Sequence, residues 1–170
     1  VAPGAEARVK AVLDTSFWVM AYRADVAANC LDLFDMVPPR AVEAEIAEND
    51  PLFPNGEFPY ATLFRQLRDR MSNPPDPEPP PLDVLGAGEA AVIPLARLLG
   101  VPALINEAKA KKFAVNSGID VITVPTTIVA LFSRGVISNR AAWRKLELIE
   151  PNTAAEIIQD AASVLSFLGA

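Results

Sequence analysis

The chain of 170 residues has no histidine and a single cysteine, Cys30. Without imidazole, the usual zinc sites and every Ser-His triad are excluded, and one thiol cannot close an internal disulfide. Acid-base work must fall to carboxylates, lysine or tyrosine. No continuous apolar run reaches the roughly eighteen residues that a membrane span needs. No charged-then-apolar leader opens the chain. The expectation is a cytoplasmic protein with no membrane partner. Cations are also in deficit, with 15 Lys and Arg against 21 Asp and Glu and a net charge of −6. That excludes a protein that grips nucleic acid over its whole surface and leaves room for a local basic patch. Val1 to Arg8 lack an initiating Met and read as a frayed or processed end.

What is present is a hydrophobic fraction of 51%, enough for one domain with a proper core and too short a chain for two. We read residues 1–170 as a single domain, with a core over about 9–138 and a strand and helix extension over 139–170. The organising stretch is Lys10-Ala11-Val12-Leu13-Asp14-Thr15-Ser16, an apolar run that ends on a carboxylate and two hydroxyls. It reads as a strand delivering an acid. In an open parallel sheet, ligands bind outside the carboxyl ends of the strands, with Thr15 or Ser16 capping the next helix. The alternative is that Asp14 is itself only a helix cap.

Periodicity then predicts helices over 17–22 and 26–35, the second striped by Ala27, Cys30, Leu31 and Phe34. A short strand at Met36-Val37 is stopped by Pro38-Pro39, and helix returns over 40–48. Residues 50–59 read as a loop and 60–71 as a basic amphipathic helix. Six prolines among residues 72–81 predict an extended, mobile surface connector. A largely buried helix opens at Leu85-Gly86-Ala87-Gly88-Glu89 and closes at Gly100, with a kink or early break expected at Pro94. Strands at 101–105 and 119–124, with helices over 108–116 and 126–134, continue the alternation that marks an α/β fold with a parallel sheet. Ser138 caps a helix over 139–145, a strand is expected at 146–149, and Thr153 with Glu156 has the capping-box spacing for a final helix to Phe167.

Asp14, Glu45, Glu89 and Glu107 each have a structural explanation as caps or first-turn charges. Their shared placement is more telling. Asp14 and Glu107 follow apolar strands, while Glu45 and Glu89 begin helices that would pack on the sheet, so one end of the fold could gather all four. Clustered carboxylates repel unless a cation neutralises them, and oxygen ligands without His or Cys suit Mg²⁺ or Mn²⁺. Phosphodiester hydrolysis is the chemistry such a site serves.

These residues also carry a family resemblance. Val12-Leu13-Asp14-Thr15-Ser16 resembles the first motif of PIN-domain nucleases, and Val37-Pro38-Pro39 through Val42-Glu43-Ala44-Glu45-Ile46 resembles the second. Gly88-Glu89-Ala90-Ala91-Val92-Ile93-Pro94-Leu95-Ala96 looks like the third motif of the Gly-Glu subgroup, and Ala103-Leu104-Ile105-Asn106-Glu107 through Ala114 resembles the fourth. The chain differs where the fourth motif usually presents Asp and here offers Asn106-Glu107, where the subgroup often has a further Asp and here has Gly86, and at Pro94.

The resemblance implies a three-layer sandwich around a mainly parallel sheet, with the Pro-rich insertion and the last helix as additions. It implies a Mg²⁺- or Mn²⁺-dependent ribonuclease acting on single-stranded RNA, as in the VapC-like toxins, which pair with an antitoxin protein. Asp14, Glu45, Glu89 and Glu107 would be the catalytic metal ligands, with Thr15, Ser16 and Asn106 hydrogen-bonded around them. Lys109, Lys111 and Lys112 beside Glu107, and Arg65, Arg68 and Arg70 on the basic helix, would contact RNA phosphates. The alternative for each cation set is a solvated helix face. A homodimer is expected from the apolar faces of residues 60–71 and 153–167. The competing class is a PIN-like module that binds RNA or a protein without cutting. A haloacid-dehalogenase-like phosphatase would need a second Asp where Ser16 stands.

Overall fold

The computed structural model describes residues 7–48, 52, 56–83 and 86–169. Four strands, β1 (Val9–Leu13), β2 (Phe34–Val37), β3 (Ala103–Leu104) and β4 (Val121–Ile122), form one sheet in the order β2-β1-β3-β4. Every pairing is parallel, with Val12 opposite both Val37 and Ala103. Ala11, Val12, Leu13, Ala103 and Leu104 are fully buried, the apolar signature of parallel strands covered on both faces. The β3 and β4 ladders are shorter than the apolar runs, yet pairing continues past them, Ala103 N–H donating to Asp120 and Ile105 N–H to Ile122.

Helices α1 (Thr15–Arg23) and α2 (Ala27–Leu33) join β1 to β2. Next come α3 (Arg40–Ile46), α4 (Pro59–Leu67), a 3-10 turn at Arg68–Arg70, and α5 (Ala87–Leu99). Helix α6 (Ala108–Asn116) precedes β4, and α7 (Val124–Ser133), α8 (Asn139–Ile149) and α9 (Ala155–Leu168) close the chain. The sheet is thus the middle layer of an α/β sandwich. Right-handed crossovers fix the sides. Helix α1 joins α7 and α8 in one layer, with α9 packed on α7 and α8, while α5 lies against β1 and β3 on the other and carries α3. Trp18 of α1 is fully buried, edge-on to Phe64 of α4 at 5.4 Å, and its indole N–H donates to the Tyr60 carbonyl at 2.8 Å.

Several local expectations are corrected. The helix expected over 26–35 ends at Leu33, because Phe34 and Asp35 already pair with Val9 and Lys10 in the sheet. Residues 146–149 are helical, since Ala142, Leu146 and Ile149 continue one buried stripe of α8. Thr153 is not a cap; Ala154 occupies that position with no side-chain bond. Pro94 does not break α5. Its missing N–H leaves the Ala90 carbonyl open, and the Leu82 N–H takes it at 3.0 Å.

That bond helps fix the Pro-rich segment, which is tied down rather than loose. Glu78 accepts from the Arg40 N–H at 2.9 Å at the start of α3, Arg68 donates to Asn73 at 2.8 Å, and Ser72 donates to Asp35 at 2.6 Å. The reading of Val1 to Arg8 as a frayed end falls largely outside the described residues, as does half of the loop expected over 50–59, whose last residue, Pro59, already opens α4; Leu85 lies outside them too, and the helix expected to open there starts at Ala87. Among the described residues, no helix is long and apolar enough to cross a membrane.

Candidate active site

The strand order reverses between β1 and β3, since the chain runs from β1 to β2 on one side and returns to β3 on the other. The crevice outside the carboxyl ends at such a switch point is where open α/β sheets bind ligands. Asp14 stands at the end of β1, its N–H bonded to the Leu104 carbonyl, and Asn106-Glu107 stand just beyond β3.

Asp14 is the N-cap of α1, the role expected of Thr15 or Ser16. Its Oδ2 accepts from the Ser16 N–H at 3.1 Å and from the Ser16 hydroxyl. It is 3% exposed. Burial pushes its carboxyl above the usual aspartate range, the Ser16 hydrogen bonds oppose this, and the nearby Glu45 charge adds to the rise. The Ser16 oxygen also accepts from the Asn106 N–H at 2.9 Å, linking the ends of β1 and β3.

Glu45 reaches in from α3. Its Oε2 accepts from the Thr15 hydroxyl at 2.7 Å and its Oε1 from the Gly88 N–H at 2.6 Å. The first turn of α5 has free donors and a cap, Gly86, with no side chain, so the Glu45 carboxylate caps that helix from a distance. Glu107 caps α6, with both oxygens engaged by the Lys109 and Ala110 N–H groups at 3.0 and 2.6 Å. Asn106 is 4% exposed, accepting from the Val124 N–H at 3.0 Å and donating to the Thr153 hydroxyl at 3.2 Å.

Glu89 differs from the other three. On the first turn of α5 and partly buried, it makes no hydrogen bond or ion pair among the described residues. Its carboxyl is raised by burial first, then by the charges of Asp14, Glu107 and Glu45, with Lys109 opposing. All four predicted acids therefore share one electrostatic neighbourhood. As the side chains stand, no three His, Cys, Asp or Glu among the described residues are grouped to hold one metal ion. Mg²⁺ retains several waters and commonly takes only one or two protein carboxylates. The donors are all oxygen, the chemistry a hard cation takes, and of the four acids Glu89 is the one left unengaged among the described residues.

The predicted RNA contacts divide. Lys109, Lys111 and Lys112 lie on α6 and make no side-chain hydrogen bond or ion pair among the described residues. Arg65 is paired with Glu57 at 2.8 Å, Arg68 with Glu43, and Arg70 with Asp32 at 2.9 Å. Sequence reasoning missed the Gly88 N–H and the Thr153 hydroxyl. The Gly-Glu pair signalled the first, whereas nothing local marks Thr153.

No family model and no curated protein matches the chain.

Proposed function

We propose that the chain is a Mg²⁺- or Mn²⁺-dependent endoribonuclease of PIN type, hydrolysing phosphodiester bonds of single-stranded RNA. The observation that carries this is Glu89, partly buried with no hydrogen bond or ion pair among the described residues and within electrostatic reach of Asp14, Glu45 and Glu107 near the sheet's switch point. The four motif resemblances support the same reading. Asp14, Glu45 and Glu89 would hold the metal, with Glu107 at the margin because the fourth motif, which usually presents Asp, offers Asn106-Glu107 here. A bound divalent ion activates water and stabilises the leaving oxygen. Thr15 and Gly88 fix the direction of Glu45, and Ser16 fixes that of Asp14. Lys109, Lys111 and Lys112 follow Glu107 directly and supply charge for flanking phosphates.

A second reading, a PIN-like module that binds RNA or a protein without cutting it, is favoured by the capping duties of Asp14, Glu45 and Glu107. The toxin role, its antitoxin partner, a homodimer and a cytoplasmic setting belong to the proposal as well. The deciding experiment incubates the protein with single-stranded RNA and Mn²⁺, with and without chelator, beside Glu89→Gln. Chelator-sensitive cleavage lost in the variant supports the enzyme. Metal-independent or absent cleavage, with RNA still bound, supports the module.

A further inference from the structure

The outer face of α8 carries an aromatic ring between two cations. Ala142, Leu146 and Ile149 bury one side of the helix. Trp143 packs part of its indole on that core, and with Asn139, Arg140, Arg144 and Glu147 it lines an open concavity of about 520 Å³. Arg140 and Arg144 are exposed, and neither makes a hydrogen bond or ion pair among the described residues. The contrast with Arg40, Arg65, Arg68 and Arg70 is sharp, since each of those is matched to a carboxylate of its own chain. Arg23 and the α6 lysines are also unpaired among the described residues, and what sets Arg140 and Arg144 apart in a protein of net charge −6 is the indole that shares their concavity.

We propose that this face of α8 binds a nucleotide of single-stranded nucleic acid, the base stacking on Trp143 and the flanking phosphates held by Arg140 and Arg144. Every base has a π-face, so an aromatic platform with cations beside it captures unpaired strands with little sequence demand. A duplex keeps its bases stacked inside and cannot offer one to the indole. Glu147 is an acceptor in the same concavity, suited to an exocyclic amine such as that of cytosine and unsuited to phosphate. The site lies outside the four acidic motifs. Its connection to them is through Lys145 of the same helix, whose ammonium donates to the Ala24 and Asp25 carbonyls at the end of α1, the helix that Asp14 caps. As a hold for the strand that the acids would cut, the site rests on the ribonuclease reading for its biological use.

The chain has two tryptophans, and Trp18 is fully buried, so quenching of emission by an added strand reports on Trp143. The test titrates full-length protein in chelator, where no metal-dependent cleavage intervenes, with oligocytidylate, oligouridylate, duplex RNA, polyglutamate and inorganic phosphate. Quenching is expected from the single strands, more tightly for cytidylate, and not from the duplex, polyglutamate or phosphate. Arg140→Ala with Arg144→Ala should weaken binding and lower the log-log salt slope by about 0.7 for each arginine. Trp143→Phe, which keeps the core contact, should retain binding by polarisation and lose the optical signal. No quenching, or equal quenching by polyglutamate or phosphate, overturns the proposal, and equal affinity for the two homopolymers removes the Glu147 contact. Cleavage with Mn²⁺ but no quenching overturns the platform alone; quenching without cleavage overturns the nuclease reading alone.

Discussion

The backbone N–H of Gly88 donates to Oε1 of Glu45 at 2.6 Å, and a Cβ built on Gly88 would lie 2.7 Å from that carboxyl carbon. Glycine at 88 is thus needed for the approach of the carboxylate and not for an unusual backbone angle. Gly88→Ala should push Glu45 out of place. Alanine in a helix gains about 0.5–1 kcal/mol over glycine, which offsets part of the missing hydrogen bond, so stability should change little. Mn²⁺ affinity and RNA cleavage should fall about 10–100-fold, the usual effect of disturbing a group that orients a ligand. Metal titration beside thermal melting checks this, and unchanged metal affinity would show that Glu45 is only a cap.

A second expectation concerns the buried acid at the end of β1. Asp14 and Glu89 have carboxyls raised above their ordinary values, so the folded state binds protons more tightly than the unfolded chain does. Their contribution to stability therefore falls as pH rises from the ordinary carboxylate range through the raised folded values, and it stays low at neutral pH. Asp14→Asn should leave the metal-free protein as stable or more stable at pH 7, each kcal/mol shifting Tm by about 2–4 °C for a chain of this size. It should also flatten the decline with pH and abolish cleavage. Melting curves between pH 4 and pH 8 decide it, and a variant that is inactive because it has unfolded contradicts the assignment.

Much of this arrangement is legible in the sequence because it is local. Apolar runs ending at Leu13 and Ile105, the caps at Ser138 and Gly100, and the alternation of strand and helix are read from neighbours a few residues apart. Asp14, read as strand-end acid or helix cap, turns out to be both at once. What escaped depends on distant pairing. The 146–149 run is apolar enough for a strand, but the buried stripe of α8 claims it. Pro94 looks like a breaker until Leu82 supplies the missing partner for Ala90. Thr153 has the spacing of a capping box, yet its hydroxyl is taken by Asn106, 47 positions away.

That bond gives a third expectation. Thr153→Val keeps the shape of the side chain and leaves the Asn106 amide without its acceptor in a buried site, a loss of about 1–3 kcal/mol. Because Asn106 N–H also meets Ser16, which in turn holds Asp14, metal affinity should drop along with stability. Thr153→Ser, which restores the hydroxyl, should recover both. Chemical denaturation and Mn²⁺ titration on the two variants test the coupling.

The two cation sets should separate by experiment. Lys109→Ala with Lys111→Ala and Lys112→Ala should weaken RNA binding and lower the salt slope by about 0.7 for each phosphate that is no longer neutralised, with little change in melting. Arg68 is partly buried and matched to Glu43 and Asn73, so Arg68→Ala should lower stability more than RNA affinity. Reversed outcomes would move the RNA path from α6 to the 3-10 turn that follows α4.

Helix α9 supports the last expectation. Leu165 is fully buried within its own chain, but Val164, Phe167 and Leu168 are 47%, 82% and 44% exposed at helical spacing of three and four. An isolated exposed apolar residue needs no explanation, whereas a strip of three on one helix is the kind of surface that a two-fold partner covers with the same strip. Light scattering at micromolar concentration should therefore give twice the mass of the chain, and Phe167→Ser should return it to a monomer with unchanged melting at low concentration. Phe167 stands clear of the core, so loss of the dimer in that variant cannot be ascribed to unfolding. A wild-type mass equal to one chain at all concentrations would remove the homodimer and leave each acidic crevice to act alone.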